Sequence, residues 1–178
     1  DQFGRDVIGL YPICQDNTCY FLCTDFDDKN CEHGYKNDVL AFVNVCNSWN
    51  VPCYIERSRS GNGAHVWIFF DKPITALKAR KLGNAILTEA MDRDARLSFK
   101  SYDRFFPNQD SLPEGGLGNL VALPLQGMAR RKGNSVFVDN KFNAYEDQWT
   151  FLSQIHKFSE AELDLLLRQH TVPTLGEL

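Results

Sequence analysis

The stretch that decides the fold is "CYFLCTDFDD", residues 19–28, in which an apolar run leads into alternating aspartates. Its aromatic and aliphatic residues predict a β-strand over 19–26. A strand that continues into a core should not end in three carboxylates. Side chains two residues apart point to the same face of a strand, with α-carbons roughly 6.5–7 Å apart. Asp25 and Asp27 therefore share a face of the predicted strand.

Two ionised carboxylates this close repel each other and need a counter-charge. A hard divalent cation provides one, because magnesium and similar ions take oxygen ligands, often one or two carboxylates together with substrate phosphates. The alternative is a strand that runs out into an acidic surface turn, since Asp28 and Lys29 follow at once. The DxD motif alone leaves both interpretations open.

The composition is that of one globular domain with a substantial core. The chain has 178 residues, of which 43% are hydrophobic and 12% aromatic, and no apolar stretch is long enough to span a membrane. Position 1 is Asp rather than Met, so we expect residues 1–178 to be a single core cut from a longer chain. The net charge of −4 argues mildly against a dedicated nucleic-acid-binding domain. Bound cations could offset it locally.

The cysteines are expected to be reduced and mostly buried, which favours a cytoplasmic protein. Several of them sit within apolar patterns, where a free thiol behaves as a small hydrophobic group. The six are Cys14, Cys19, Cys23, Cys31, Cys46 and Cys53. A zinc site from the first four with His33 is the alternative, but their spacing matches no CxxC…CxxC pattern. We therefore expect no zinc.

The order of the remaining elements predicts a mixed α+β fold. A Gly-rich turn separates segments 51–56 and 65–70, so the two should pair as an antiparallel hairpin. Asn37 is a candidate N-cap, and Ser159 with Glu162 forms a capping box. The other predicted strands are 7–11, 119–123 and 135–138. The predicted helices are 38–49, one starting at Thr75, and further helices at the end of the chain, with 96–118 mostly loop.

The hairpin turn itself, "SRSGNGAHVW" at residues 58–67, is a second candidate site. Gly61 and Gly63 permit backbone conformations that expose N–H groups to phosphate oxygens. Ser60 offers a hydroxyl and His65 an imidazole that could donate to an anion. The alternative is an ordinary hairpin turn with a satisfied histidine at the start of a strand.

The third stretch is "FKSYDRFFPNQD", residues 99–110, which contains the acids Asp103 and Asp110. The alternative here is a surface loop held to the core by Phe105 and Phe106. Taken together, a carboxylate pair on a strand, a Gly-rich Ser/His hairpin and a further acid are the parts of a two-metal phosphoryl-transfer site. Such a site holds two cations about 3.5–4 Å apart.

These motifs resemble those of a known family. "DFD", then "SGNGAH", then an acid about nine residues before "GNLVALPL", is similar to the three motifs of the archaeo-eukaryotic primase superfamily. The longer strings "ERSRSGNGAHVWIFF", "SYDRFFPNQD" and "GGLGNLVALPLQ" resemble the primase-polymerase domain of TOTE conflict systems, which is close to the CRISPR-associated primase-polymerases. The resemblance runs from about Val7 to Phe158.

The resemblance implies a role for each matching residue. Asp25, Asp27 and Asp110 would be the catalytic carboxylates and would hold two magnesium or manganese ions, with Asp103 as the alternative third acid. The residues implied to bind the incoming nucleotide are Ser60, Asn62, Gly63 and His65, with Arg59, Lys100, Arg104 and Arg130 as the cations that could meet its charge.

The resemblance also implies a fold and an activity. The fold is an N-terminal α/β module, from about 7–50 and 135–170, and an RRM-like module over about 51–134, with the site in the cleft between them. The activity is that of a DNA primase-polymerase, which adds nucleotides to a 3′-hydroxyl and could start primers de novo. The alternatives are a non-catalytic nucleic-acid-binding module and a metal-dependent nuclease.

The implied partners follow from that activity. They are deoxynucleoside or ribonucleoside triphosphates, a single-stranded DNA template and a primer–template duplex, with no membrane. The full-length protein would carry or associate with helicase, nuclease or CRISPR components in a prokaryotic cytoplasm.

Overall fold

A computed structural model of the chain describes residues 6–28, 34–94 and 100–170. Within these ranges the fold is mixed α+β, as predicted, with two antiparallel sheets and five helices. None of the helices in these ranges is both long enough and apolar enough to cross a membrane. The division into two modules stays a prediction.

The strands form one five-stranded sheet, in the order β5-β2-β4-β3-β7, and a two-stranded sheet of β1 and β6. Every neighbouring pair is antiparallel, including the predicted hairpin of β3 and β4. The strands are β1 Gly9–Leu10, β2 Thr18–Asp27, β3 Tyr54–Arg57, β4 Gly63–Thr75, β5 Tyr102–Phe106, β6 Val121–Ala122 and β7 Val136–Val138. The long strands β2 and β4 lie next to each other at the centre.

Side-chain caps at the predicted positions begin two of the helices, α2 and α5. The α2 helix starts as predicted at Thr75, whose hydroxyl accepts a hydrogen bond from the Lys78 N–H at 3.3 Å. The predicted capping box is confirmed at α5, where Ser159 and Glu162 bond to each other's backbone N–H. The helices are α1 Tyr35–Ser48, α2 Ala76–Arg93, α3 Gly127–Arg131, α4 Gln148–Ser153 and α5 Glu160–His170.

The five-stranded sheet has two differently covered faces. Leu22 and Phe26 of β2 point into the main core, which α1, α2 and α5 complete. Phe21 and Cys23 point to the other face, into a smaller buried cluster with Trp67 and its neighbours. Because side chains alternate along a strand, the continuation of this second face carries the two aspartates of the DxD motif. They are therefore on the side of the sheet away from α1, α2 and α5.

Two local predictions were wrong. The α1 helix begins after Gly34, which lies at a φ of 71°, and it has no side-chain cap; Asn37 is inside the helix. The segment 96–118 contains β5, although we predicted mostly loop there. The charged pair Asp103–Arg104 hides the strand pattern, because only two apolar residues follow it before Pro107. The tail 171–178 lies outside the described residues.

Candidate metal centre

Three carboxylates meet at the end of β2. One oxygen each of Asp25, Asp27 and Asp103 can be chosen so that all lie within 4.8 Å of one another. Asp25 and Asp27 are half-buried and Asp103 is exposed, so the group opens to solvent on one side. Three carboxylates are hard oxygen donors, which suit magnesium or manganese rather than a thiolate-seeking metal. The donor set therefore fits a divalent cation.

A β-bulge brings Asp103 into this group. Asp25 of β2 pairs with Arg104 of β5, but the next residue, Phe26, pairs with Tyr102, so Asp103 is an extra residue on β5. Bulges re-aim a side chain and occur often beside active sites. The bulge thus places a third acid beside a pair that lies on the adjacent strand.

Asp110, which we favoured for the third carboxylate, is not a member of this group. Its carboxylate contacts Arg80 Nη1 of α2 at 2.6 Å. Two residues later, the Leu112 N–H donates to Asn17 Oδ1 at 2.8 Å, just before β2 begins. Since β5 runs antiparallel to β2, the chain after β5 moves away from Asp25, by roughly 25 Å at this point. The direction of the strand therefore separates Asp110 from the DxD pair.

His65 lies directly beside the carboxylate cluster. It pairs across the strands with Asp25 of β2 on one side and with Glu56 of β3 on the other. Its Nε2 is 3.4 Å from Asp25 Oδ1 and its Nδ1 is 2.9 Å from Glu56 Oε2. Burial, the largest single influence, lowers the pKa of His65, but the bonds and charges of Asp25 and Glu56 outweigh it and raise the pKa to about 10. The imidazole is therefore cationic at neutral pH in this arrangement.

The Gly-rich turn forms one wall of a cleft at the same end of the sheet. The cleft has a volume of about 490 Å³ and is lined by Asp27, Asp28, Ser60 and Asn62. Ser60 is exposed, and its hydroxyl lies 3.1 Å from that of Ser58. Ser60 of the predicted hairpin motif and Asp27 of the predicted acid pair thus line one cleft.

The turn uses its backbone N–H groups differently from our expectation. The Gly61 N–H donates to the Ser58 carbonyl at 3.0 Å, and the Asn62 N–H donates to Ser60 Oγ at 3.2 Å. Both groups are thus engaged inside the turn. Gly63 matters because of space: a Cβ there would lie 2.4 Å from the Phe26 carbonyl oxygen and 2.9 Å from an Asp27 carboxylate oxygen. The absence of a side chain at Gly63 lets the hairpin approach the metal ligands.

The cationic residues suggested for nucleotide binding lie in different places. Arg104 is at the site, where it contacts Asp103 at 2.8 Å. Lys100 is exposed just before Ser101, whose carbonyl accepts from the Asp27 N–H at 2.7 Å. Arg59 instead lines a second cavity of about 220 Å³ with Lys132 and other residues around α3, and Arg130 is exposed on α3. Arg104 is thus in contact with the carboxylate cluster.

Cysteine burial agrees with the prediction of structural thiols. Cys23 is fully buried beneath the site, and its pKa is raised by burial and by the nearby charges of Glu56 and Asp25. Burial also raises the pKa of Cys19, to about 12, and the pKa of Cys46. The described cysteines are free thiols, while Cys31 and His33 of the zinc alternative lie outside the described residues.

Sequence reasoning missed two supporting acids. Glu56 bonds to His65, and it could have been found from the hairpin register, which places it opposite that histidine. Asp38 of α1 is buried and accepts the Ser101 hydroxyl at 2.5 Å. Through Ser101 it supports the backbone of Asp27. A helix residue far away in sequence gives no local signal of such a contact.

The fold and the site together define an α+β domain whose acidic cluster can hold a divalent cation. A family model described as "TOTE conflict system, Archaeo-Eukaryotic Primase domain" matches residues 3–166, so the chain belongs to this family. No curated protein matches the chain. The family confirms the resemblance carried by the motifs and indicates a primase-like nucleotidyltransferase fold.

Proposed function

We propose that the domain is a template-directed nucleotidyltransferase of the primase-polymerase type, which joins nucleoside triphosphates to a 3′-hydroxyl on a DNA template. The observation that carries this proposal is the carboxylate group of Asp25, Asp27 and Asp103, in which Asp27 also lines an open cleft with Ser60 and Asn62. Membership of the archaeo-eukaryotic primase family supports the same activity.

The three carboxylates would hold two magnesium or manganese ions. When bound, such ions lower the pKa of the attacking 3′-hydroxyl and stabilise the pyrophosphate leaving group. Asp25 and Asp27 are held by the central strand, and Asp103 by the bulge of its neighbour. Because all three side chains come from paired strands, the site is largely preorganised, which is the condition for strong electrostatic catalysis.

The residues around the cleft would bind and orient the nucleotide. Ser60 and Asn62 line the cleft, and His65 stands beside Asp25 with its Nε2 toward the acids. A serine hydroxyl, an amide and an imidazolium are donors that suit the oxygens of a triphosphate. Arg104 contacts Asp103 and would exchange this contact for one with phosphate. Holding the triphosphate and the 3′-hydroxyl in line would supply much of the rate.

The same activity requires a single-stranded template and a primer–template as partners, and both deoxynucleotides and ribonucleotides are candidate substrates. In a full-length protein the domain would act with helicase, nuclease or CRISPR components in a prokaryotic cytoplasm. The family description, which refers to a conflict system, supports this context.

An assay on a single-stranded DNA template tests the proposal. The template is supplied with and without a primer, with each nucleotide set, and with manganese or magnesium. We expect template-dependent products and one pyrophosphate released per nucleotide added. Strand cleavage without pyrophosphate release would instead identify a nuclease. Template binding with neither product nor metal-dependent triphosphate affinity would identify a binding module.

A further inference from the structure

A buried carboxylate stands behind the candidate site. Glu56 of β3 is only 1% exposed. Placing a carboxylate in the interior is costly unless hydrogen bonds compensate for the lost water. Three side chains do so: His65 Nδ1 at 2.9 Å and Trp67 Nε1 at 2.8 Å from Oε2, and Ser135 Oγ at 3.2 Å from Oε1.

The partners of Glu56 determine how it bonds to the His65 ring. The indole N–H of Trp67 can only donate, so Oε2 of Glu56 is an acceptor. The Ser135 hydroxyl donates to Oε1. With both oxygens accepting, Glu56 has the bonding pattern of an ionised carboxylate, so His65 Nδ1 is the donor in the bond between them. The Nε2 atom is then on the side of Asp25 and the carboxylate cluster.

The sheet fixes the imidazole between two acids. Glu56 and Asp25 are both direct cross-strand partners of His65, on β3 and β2 respectively. The ring is held at Nδ1 by the buried Glu56, while its Nε2 is 3.4 Å from the half-buried Asp25. The contact of Nδ1 with Glu56 is short and buried. The contact of Nε2 with Asp25 is longer and lies beside the carboxylate cluster. Glu56 therefore sets the ring orientation.

We propose that Glu56 is a positioning residue, which holds His65 by its Nδ1–H so that the Nε2–H, on the side of the carboxylate cluster, donates to a phosphate oxygen of the triphosphate. This proposal rests on the proposed function for the identity of the ligand. The orientation itself does not depend on catalysis. Partners that orient a ligating histidine through its second nitrogen commonly change affinity or activity about 10- to 100-fold when removed.

The orientation is tested directly by nitrogen-15 NMR of the His65 ring in the unliganded protein. We expect a protonated Nδ1 with a resonance shifted by its bond to the carboxylate, and loss of that shift in Glu56→Leu. An unprotonated Nδ1 in the wild-type protein would overturn the proposal, whether or not the protein incorporates nucleotides. The measurement on the wild-type protein decides this even if the Glu56→Leu variant does not fold.

The consequence for binding is tested by calorimetric titration with dATP and magnesium. Glu56→Leu, which removes the acceptor, should weaken dATP about 10-fold or more. Glu56→Gln keeps an acceptor of the same size and should lose less. Phe21→Leu is the matched control, because it loosens the same buried cluster without removing a hydrogen bond of Glu56 or His65; it should stay within about twofold of wild type.

A double-mutant cycle separates positioning from a merely structural role. If Glu56 acts through His65, adding Glu56→Leu to His65→Ala should cause no further loss of dATP affinity. Additive losses in that cycle would overturn the proposal. Equal losses in Phe21→Leu and Glu56→Leu would overturn it as well, because they would show that any weakening of this buried cluster has the same effect.

Discussion

Asp103→Asn should lower nucleotide incorporation on the order of 10²–10³-fold, while Asp110→Asn should leave it within about twofold of wild type. Asp103 lies in the carboxylate group with the DxD pair, and its loss removes one charge and one hard ligand from the proposed cation site. Asp110 contacts Arg80 instead, in an exposed ion pair. The measurements are primer extension on a DNA template and calorimetric titration with manganese.

The two variants are matched, since each replaces one exposed aspartate by its neutral isostere. Removing the Asp110–Arg80 pair should cost at most about 1 kcal/mol of stability, as exposed ion pairs generally do. Manganese affinity should fall only in the Asp103 variant. If Asp110→Asn were the inactive variant and Asp103→Asn the active one, the third ligand would be misassigned.

Gly63→Ala should lower incorporation on the order of 10²-fold, even where the protein remains folded. The new Cβ would lie 2.4 Å from the Phe26 carbonyl oxygen, a backbone atom that cannot rotate away. Gly63 of β4 is the cross-strand partner of Asp27 of β2. The new Cβ must therefore push the two strands apart at the position of the proposed metal ligands. We also expect a loss of about 1–3 kcal/mol in the free energy of unfolding, measured by urea denaturation.

Thr75→Ala is the control for that loss of stability. Thr75 caps α2 at the other end of β4, and its removal should cost about 1 kcal/mol without touching the cleft. Incorporation by the folded Thr75 variant should stay near wild type. An active Gly63→Ala protein would show that the contact with Asp27 does not control the site.

The sequence was sufficient to predict the central part of the fold and site. The apolar residues before Asp25 predicted β2, and the i, i+2 spacing predicted a shared face for Asp25 and Asp27. Both features are observed. The "SGNG" turn predicted the β3–β4 hairpin, which is also observed. These features depend on short-range periodicity and turn chemistry, which local sequence determines directly.

The third acid could not be predicted from the same local rules. Its position depends on a bulge in β5, where one extra residue turns Asp103 toward the neighbouring strand. A motif offset measured from Asn119 favoured Asp110, but the antiparallel direction of β5 carries that residue toward Arg80. Register shifts between strands come from tertiary packing, and no sequence pattern within β5 indicates the bulge at Asp103.

The central claim is that Asp25 and Asp27 support template-directed nucleotide addition. The most direct measurement is primer extension on a single-stranded DNA template with manganese, comparing wild type with the double variant Asp25→Ala, Asp27→Ala. Circular dichroism and thermal unfolding of both proteins establish that the fold is intact. We predict no extension by the folded double variant, and wild-type-like synthesis by it would contradict the account.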